Sequence, residues 1–268
     1  MAEKRFANVG GLKTHYLQAG SGPALLMLHG QLPGSSAEVE FGGNIDHFAA
    51  AGYTVFAPDL AGFGLTDNPQ DFSVEARIAH VEAFIAFMGL APRAIWGSSM
   101  GTYIGCAIAK RDKRVERLVI TPSSVLPPSG MAPRSETGER LFHAIHDYAP
   151  SLDAARAVLG QVLVSRPPSD ELVQLFYAMS TGKNEEAERG RRAAGRPRPI
   201  HGELCDLTAS SLLLWGHDDP SVPGERGLLL FDGMKRAEFH MLHDCGHWPQ
   251  HDQPERTHRL VGDFLRAA

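Results

Sequence analysis

The chain is short of cysteine, of long apolar runs and of excess positive charge, and each shortage removes a class of protein. Its 3 cysteines, Cys106, Cys205 and Cys245, are too few and too scattered for a disulfide framework, so free thiols in a reducing compartment are expected. Nowhere do about 18 apolar residues follow one another, the length a helix needs to cross a bilayer. Residues 1–5 are mostly charged and no signal-like apolar stretch follows them. The expectation is a cytoplasmic protein with no membrane partner. A net charge of −5 supplies no basic field, so no nucleic-acid partner is expected either. There is no internal repeat and no low-complexity tract. Neither a dinucleotide fingerprint nor a Walker loop stands between a strand and a helix, so no cofactor is implied.

What is present is a chain of 268 residues, 43% hydrophobic and 21% charged, enough to bury one sizeable core. Short apolar runs alternate with longer periodic segments, the pattern of strands covered on both faces by crossover helices. The fold class is therefore α/β, a mostly parallel sheet flanked by helices. Strands are predicted over residues 14–18, 24–29, 54–57, 94–97, 118–121, 211–215 and 238–242. A helix over 73–88 takes Ser73 as N-cap and turns Val74, Ile78, Val81, Ile85 and Met88 inward. The last helix, about 254–267, starts at Pro254 and buries Leu260, Val261, Phe264 and Leu265.

Residues 122–201 break this rhythm. They open with Pro122, Pro127, Pro128 and Pro133, then read as amphipathic helices over 136–148, 152–164, 170–179 and 184–194, with no strand. A helical lid inserted into a core of residues 1–121 and 202–268, covering the carboxyl end of the sheet, is the expected organisation.

The chemistry begins at Gly97-Ser98-Ser99-Met100-Gly101, between the apolar Ile95-Trp96 and a helix over 102–110. A strand that turns sharply into a helix holds its central residue in a strained backbone, with small neighbours to avoid clashes, and pushes Ser99 out above the sheet. The same turn aims the unpaired N–H groups and positive dipole end of the helix at the place where an oxyanion would form. The N–H of Met100 is one candidate donor. The loop His29-Gly30-Gln31-Leu32-Pro33-Gly34 supplies a second, expected at Gln31, with His29 holding the loop rather than reacting.

A serine hydroxyl needs a base to accept its proton, and the base needs an acidic orienter. Asp218 and Asp219 follow the strand ending at Trp215, and Cys245-Gly246-His247-Trp248 precedes the last helix. Asp219 is favoured, with Asp218 as fallback; among His240, His243, His247 and His251, His247 is favoured, with His243 as fallback. The density of His243, Cys245, His247 and His251 also raises a metal site, but the spacing matches no zinc pattern and Pro249 interrupts any shared helix face. No metal is expected. Asp59 to Asp67 reads as a structural turn in which Asp59 caps neighbouring N–H groups. The run Arg189, Arg191, Arg192, Arg196 and Arg198 reads as a solvated face, the sharper alternative being that one of them holds a substrate carboxylate.

Along almost its whole length the sequence resembles the α/β-hydrolase superfamily, and within it the meta-cleavage product hydrolases, which split carbon–carbon bonds in ring-opened aromatic catabolites. The matching stretches are His29-Gly30 with Pro33-Gly34, Ala57-Pro58-Asp59 through Gly62-Phe63-Gly64 and Thr66-Asp67, Ser99-Met100-Gly101, Asp170-Glu171-Leu172, Gly216-His217-Asp218-Asp219 with Val222-Pro223, and Cys245-Gly246-His247-Trp248. The resemblance implies Ser99, Asp219 and His247 as a catalytic triad, the N–H groups of Gln31 and Met100 as the oxyanion hole, Trp248 as a pocket wall, a small-molecule substrate and a homodimer. Three positions depart from the family. Ser98 and Glu40 stand where asparagines are usual, and Phe176 falls near the lid arginine that holds the dienoate. Together the three departures, at Ser98, Glu40 and Phe176, imply a pocket less polar at the lid and a substrate without the usual hydroxy-oxo-dienoate acid end.

The expected function is serine-dependent hydrolysis of a carbon–carbon bond next to a ketone. The alternatives are an esterase, lactonase or thioesterase with the same triad, a non-enzymatic binder, and cofactor-free oxygen chemistry on the His–Asp pair.

Overall fold

The computed structural model describes residues 1–126 and 135–267. Of the four prolines expected to open the inserted segment, Pro127, Pro128 and Pro133 lie outside the described residues. The chain starts with a hairpin of β1 (Glu3–Val9) and β2 (Leu12–Ala19). Its two-residue turn, Gly10-Gly11, has φ of 58° and 89°, a backbone open chiefly to glycine and matched to the twist of paired strands. β1 escaped the sequence reading because it lies at the sheet edge with most side chains exposed, so it carries no apolar run.

Then follow β3 (Ala24–Leu28), α1 (Ala37–Ala50), β4 (Thr54–Pro58), α2 (Val74–Phe87), β5 (Ala94–Gly97), α3 (Met100–Arg111) and β6 (Arg117–Ile120). Among the described residues, four helices come next without a strand: α4 (Glu136–His146), α5 (Leu152–Val162), α6 (Asp170–Ser180) and α7 (Lys183–Ala194). A 3-10 turn at His201–Asp206 leads into β7 (Ser210–Gly216), α8 (Gly224–Gly233), β8 (Ala237–Leu242), α9 (Pro249–Asp252) and α10 (Pro254–Arg266). The expected helix at 73–88 is present with Ser73 as N-cap, its hydroxyl accepting the Ala76 N–H at 3.2 Å. Ser135, Ser151 and Ser169 cap α4, α5 and α6 in the same way, each worth about 1 kcal/mol. Three helices escaped the sequence reading, the four-residue α9 and two longer ones. α1 carries Gly42-Gly43 mid-helix and α8 is flanked and interrupted by glycine, which hides a helical signal that tertiary burial overrides.

The 8 strands form one sheet in the order β1-β2-β4-β3-β5-β6-β7-β8. β3 to β8 pair in parallel, and only β2 runs against its neighbours β1 and β4. Alternate residues serve opposite faces: Leu26, Leu28, Ile95, Leu118, Ile120, Leu213 and Trp215 pack under α2, α3 and α8, while Leu25, Met27, Val55, Trp96, Val119, Leu212 and Leu214 pack under α1 and α10. A third apolar cluster joins α4, α5 and α6 to Val39 and Trp248 through Leu141, Val158, Leu159, Val162, Val173 and Phe176.

The loop after β4 anchors both the core and the four-helix segment. Asp59, buried, accepts from the Ala37 N–H at the start of α1 (2.8 Å), from the Leu65 N–H (2.9 Å) and from His15 (2.8 Å), the capping role expected of it. Burial opposes its ionisation, but the hydrogen bond from His15 and the charges of His29 and His15 outweigh this and hold its pKa below the ordinary carboxylate value. The carbonyls of the loop in turn accept from α7: Gly64 from Asn184 (3.0 Å), Gly62 from Arg191 and Thr66 from Lys183.

Candidate active site

The turn from β5 into α3 places Ser99 at the carboxyl end of the sheet. Its φ of 52° and ψ of −112° lie outside the regions that L residues favour, a strain of roughly 1–3 kcal/mol. The neighbours explain how the chain tolerates this: a Cβ on Gly101 would overlap the Leu28 carbonyl, and one on Gly97 would overlap the backbone of Thr102. The turn is locked by the Gly101 N–H donating to Ser98 O at 2.7 Å and the Ser98 N–H to Leu28 O at 2.8 Å. Ser99 is left half-buried, while Ser98 and Met100 are buried.

Asp219 and His247 meet across the two loops that follow β7 and β8. His247 Nδ1 lies 2.8 Å from Asp219 Oδ2, and both side chains are buried. The other oxygen of Asp219 accepts the N–H groups of Ser221 (2.7 Å) and Val222 (3.0 Å), so the carboxylate cannot turn away. Burial alone would pull the imidazole pKa down. The charge of Asp219 and its hydrogen bond, helped by the charge of Glu40, outweigh burial and leave His247 above the ordinary histidine value. Asp218 instead faces His217 (2.9 Å) at the surface, and His243 is exposed and packs on His217. Among the described residues, no three histidine, cysteine or acidic side chains gather as a metal-binding group, so His243, Cys245, His247 and His251 stay apart as ligands.

The His247 loop is tied to the helical segment. The His247 N–H donates to Val162 O of α5 at 3.0 Å. Asp252 accepts from the N–H groups of Gly246 (2.7 Å), Val164 (3.0 Å) and Ser165 (3.0 Å) and from the Ser165 hydroxyl (2.8 Å). Sequence reasoning missed Asp252; an acid two residues before a helix-starting proline was its only local signal.

On the other side of Ser99 lies the loop after β3. His29 bridges it, contacting Gly30 O at 2.8 Å while its Nε2 accepts the Leu60 N–H at 2.9 Å. Burial keeps that ring below the usual histidine pKa, so it serves as a neutral strut. Glu40, fully buried, accepts the Gly30 N–H (2.9 Å) and the Ser35 hydroxyl (2.6 Å) through Oε1, and Ser35 Oγ accepts the Leu32 N–H (2.9 Å). One carboxylate therefore holds both ends of the segment containing Gln31. A Cβ added to Gly30 would lie 3.0 Å from Ser99 Cβ and 3.2 Å from Glu40 Oε1, which puts that carboxyl beside the serine. Its Oε2 and the Ser98 hydroxyl have no hydrogen-bond partner among the described residues. Neither the Gln31 N–H nor the Met100 N–H meets an acceptor among those residues.

Phe176 and Trp248 are buried in the third apolar cluster, next to Leu141 and Val39. Their surroundings are apolar, and a neighbouring cavity is lined by both apolar and charged side chains. That space, about 480 Å³, lies between the Gln31 loop, the loops after β6 and β7, and helices α4 and α7, and Arg191, Arg192, Arg196 and Arg226 line it. Ser99 and His247 are not among its lining residues; Gln31 on one side and Pro220 and Ser221, directly after Asp219, bring its wall to the site.

The alpha/beta hydrolase family model matches residues 25–260. A 2-hydroxy-6-oxononadienedioate/2-hydroxy-6-oxononatrienedioate hydrolase of Burkholderia vietnamiensis is 31% identical over 266 residues, covering 95% of this chain and 91% of its own. A 2-hydroxy-6-oxo-6-phenylhexa-2,4-dienoate hydrolase of Comamonas testosteroni is 30% identical, covering 94% and 91%. The crystal structure of a meta-cleavage product hydrolase from Pseudomonas fluorescens superposes with a TM-score of 0.85 at 27% identity, over 97% of both chains. With its fold, its strained serine turn and these matches agreeing over most of the sequence, the chain belongs to the alpha/beta hydrolase family.

Proposed function

We propose that the protein is a cytoplasmic serine hydrolase that cuts a carbon–carbon bond next to a ketone in a small, ring-fission-like molecule, working as a homodimer. Ser99 is the nucleophile, His247 the base and Asp219 its orienter, and the N–H groups of Gln31 and Met100 form the oxyanion hole. The core is residues 1–121 and 202–268, and 122–201 form a cap. The observation that carries the triad is the buried 2.8 Å contact between His247 and Asp219, at the same end of the sheet as the strained Ser99. The choice of bond leans on the relatives, whose names are those of dienoate and dienedioate hydrolases.

In this reading His247 first moves a proton on the substrate to produce the electrophilic ketone. Ser99 then attacks the carbonyl carbon as His247 takes its proton, and the developing oxyanion is met by the two backbone donors. The carbon–carbon bond breaks with its electron pair leaving on the enolate fragment, which takes the proton held by His247, and the neutral His247 then activates a water that hydrolyses the acyl-Ser99 ester. The test is a comparison of 2-hydroxy-6-oxo-hexa-2,4-dienoates with aryl esters of matched size. Cleavage of the dienoate at kcat/KM well above the esters is expected; rapid ester turnover without dienoate cleavage moves the assignment to an esterase, lactonase or thioesterase.

That second reading has a specific observation in its favour. Glu40 places a carboxylate beside Ser99, where a substrate carboxylate would be repelled. Glu40 also gives the pH dependence a handle. His247 must be neutral to act as base, so activity falls as pH drops through its raised pKa. Glu40→Gln keeps an acceptor for Gly30 and Ser35 but removes a negative charge, so the acid limb of kcat against pH should move down by roughly 0.5–1 unit. An unmoved limb overturns the electrostatic part of this role.

A further inference from the structure

The loop that carries His247 is gripped from two sides. A Cβ on Gly216, the last residue of β7, would overlap the carbonyls of Cys245 and Gly246, while a Cβ on Gly246 would overlap Val162 O and lie 2.8 Å from Val164 Cγ2. The strip Cys245-Gly246 is therefore pressed between the end of the sheet and the end of α5, and neither contact leaves room for a side chain. The Asp218 N–H donates to Cys245 O at 3.0 Å and the His247 N–H to Val162 O at 3.0 Å, so one side of the strip follows the loop of Asp219 and the other follows α5. Asp244, where the loop begins, has φ of 53°, a left-handed backbone that an L residue does not favour. Local preference alone does not give the loop this shape.

Asp252, in α9 and buried, bridges the strip to the helical segment. Its Oδ2 accepts the Gly246 N–H at 2.7 Å, and its Oδ1 accepts the N–H groups of Val164 and Ser165, both at 3.0 Å, and the Ser165 hydroxyl at 2.8 Å. Its own N–H donates to Trp248 O at 3.0 Å, one residue past the imidazole. Trp248 shares the third apolar cluster with Val158, Leu159 and Val162 of α5. Bonds to an ionised acceptor are roughly twice as strong as neutral ones, so this carboxylate is a stiff link rather than a loose one. It is not among the residues lining the neighbouring cavity, and its effect on the reaction runs through what it holds.

We propose that Asp252 is a positioning residue for His247: by fixing Gly246 on one oxygen and the end of α5 on the other, it sets the backbone from which the imidazole reaches Asp219, so that α5 and the base keep one relative placement. The role of His247 as base rests on the hydrolase reading above. Without the link, the strip keeps its contact with β7 but loses its reference on the other side. The imidazole then samples orientations in which Nε2 is turned from its working direction.

Asp252→Asn and Ser165→Ala separate positioning from stability. Asparagine has one carbonyl, so it cannot accept at Gly246 and at α5 together; alanine at 165 removes only a hydroxyl and leaves the Gly246 side intact. The rate constant for labelling of Ser99 by a small fluorophosphonate should fall roughly 10- to 100-fold in Asp252→Asn and stay within about twofold in Ser165→Ala, while both melt below the parent. The low-field proton resonance of the His247–Asp219 hydrogen bond, assigned by its loss in Asp219→Ala, should broaden or vanish in Asp252→Asn and persist in Ser165→Ala. If Asp252→Asn does not fold, Asp252→Glu, which keeps the charge but displaces both oxygens by a methylene, should show the same two losses. A parent-like labelling rate or an unchanged resonance in the folded Asp252 variant overturns the proposal, and so do equal losses in Ser165→Ala, which would tie the effect to stability. A wild-type protein that does not react with the phosphonate removes Ser99 as nucleophile, and the resonance, which needs no turnover, still decides the role of Asp252.

Discussion

Replacing Ser99 by alanine should lower kcat by at least ~10⁴-fold while leaving the melting temperature within a few degrees of the parent. The hydroxyl is the only part removed. Ser99 is half-buried and the hydrogen bonds that hold the turn run through backbone groups of Ser98, Gly101 and Leu28, none of which the substitution touches. The backbone strain at φ 52° remains, because alanine carries the same Cβ. Residual rate should be that of an oxyanion hole acting without a nucleophile. Steady-state kinetics on whichever substrate the wild type turns over, together with a thermal melt, check both halves. Activity within tenfold of the parent would show that the serine is not the nucleophile.

The second large effect is expected from Asp219→Asn, about 10⁴-fold in kcat. Asp219 accepts two N–H groups through one oxygen and the Nδ1–H of His247 through the other. An asparagine of the same shape can satisfy Ser221 and Val222 with its carbonyl, but its NH₂ then faces Nδ1 and forces that nitrogen to accept. The proton moves to Nε2, the nitrogen that must be bare to act as base. Losing the negative charge also removes the main force raising the His247 pKa. Asp218→Asn is the matched control: that side chain pairs with His217 at the surface, and kcat should stay within about twofold. Equal effects at the two positions would place the orienting acid elsewhere.

How much of this could be read before folding varies with the distance over which each feature is decided. The elbow at Gly97 to Gly101, the Ser73 cap and the parallel strands announce themselves within a few residues, because glycine, a capping hydroxyl and apolar runs act locally. The helices at 136–148 and 152–164 were placed within two residues of their true ends, since fraying of the last turn is the main uncertainty. α1 was invisible because Gly42 and Gly43 argue against a helix, while Phe41, Ile45 and Phe48, packed on the sheet, outweigh them.

At the site, the sequence could name Asp219 and His247 as favourites but left Asp218 and His243 in reserve. Only the loops after β7 and β8 decide which acid faces which imidazole. Asp252 had no claim to attention as an isolated letter; it matters because it meets Val164, 88 positions away. The arginine run of α7 looked like a solvated face, yet Arg191 is buried and Arg196 turns toward a cavity shared with Arg226.

By itself, then, the amino-acid order determined the alternating α/β class, the run of helices between β6 and β7, and a short set of candidates, Ser99 with Asp219 or Asp218 and His247 or His243, since each depends on short-range backbone preference or on periodic burial. The tertiary structure alone decided the partner of each charge: Asp219 for His247, Glu40 for the Gly30 loop, and Asp252 for the backbone of Val164 and Ser165. Electrostatic pairing depends on distances between segments far apart along the chain, and those distances exist only once the core has closed.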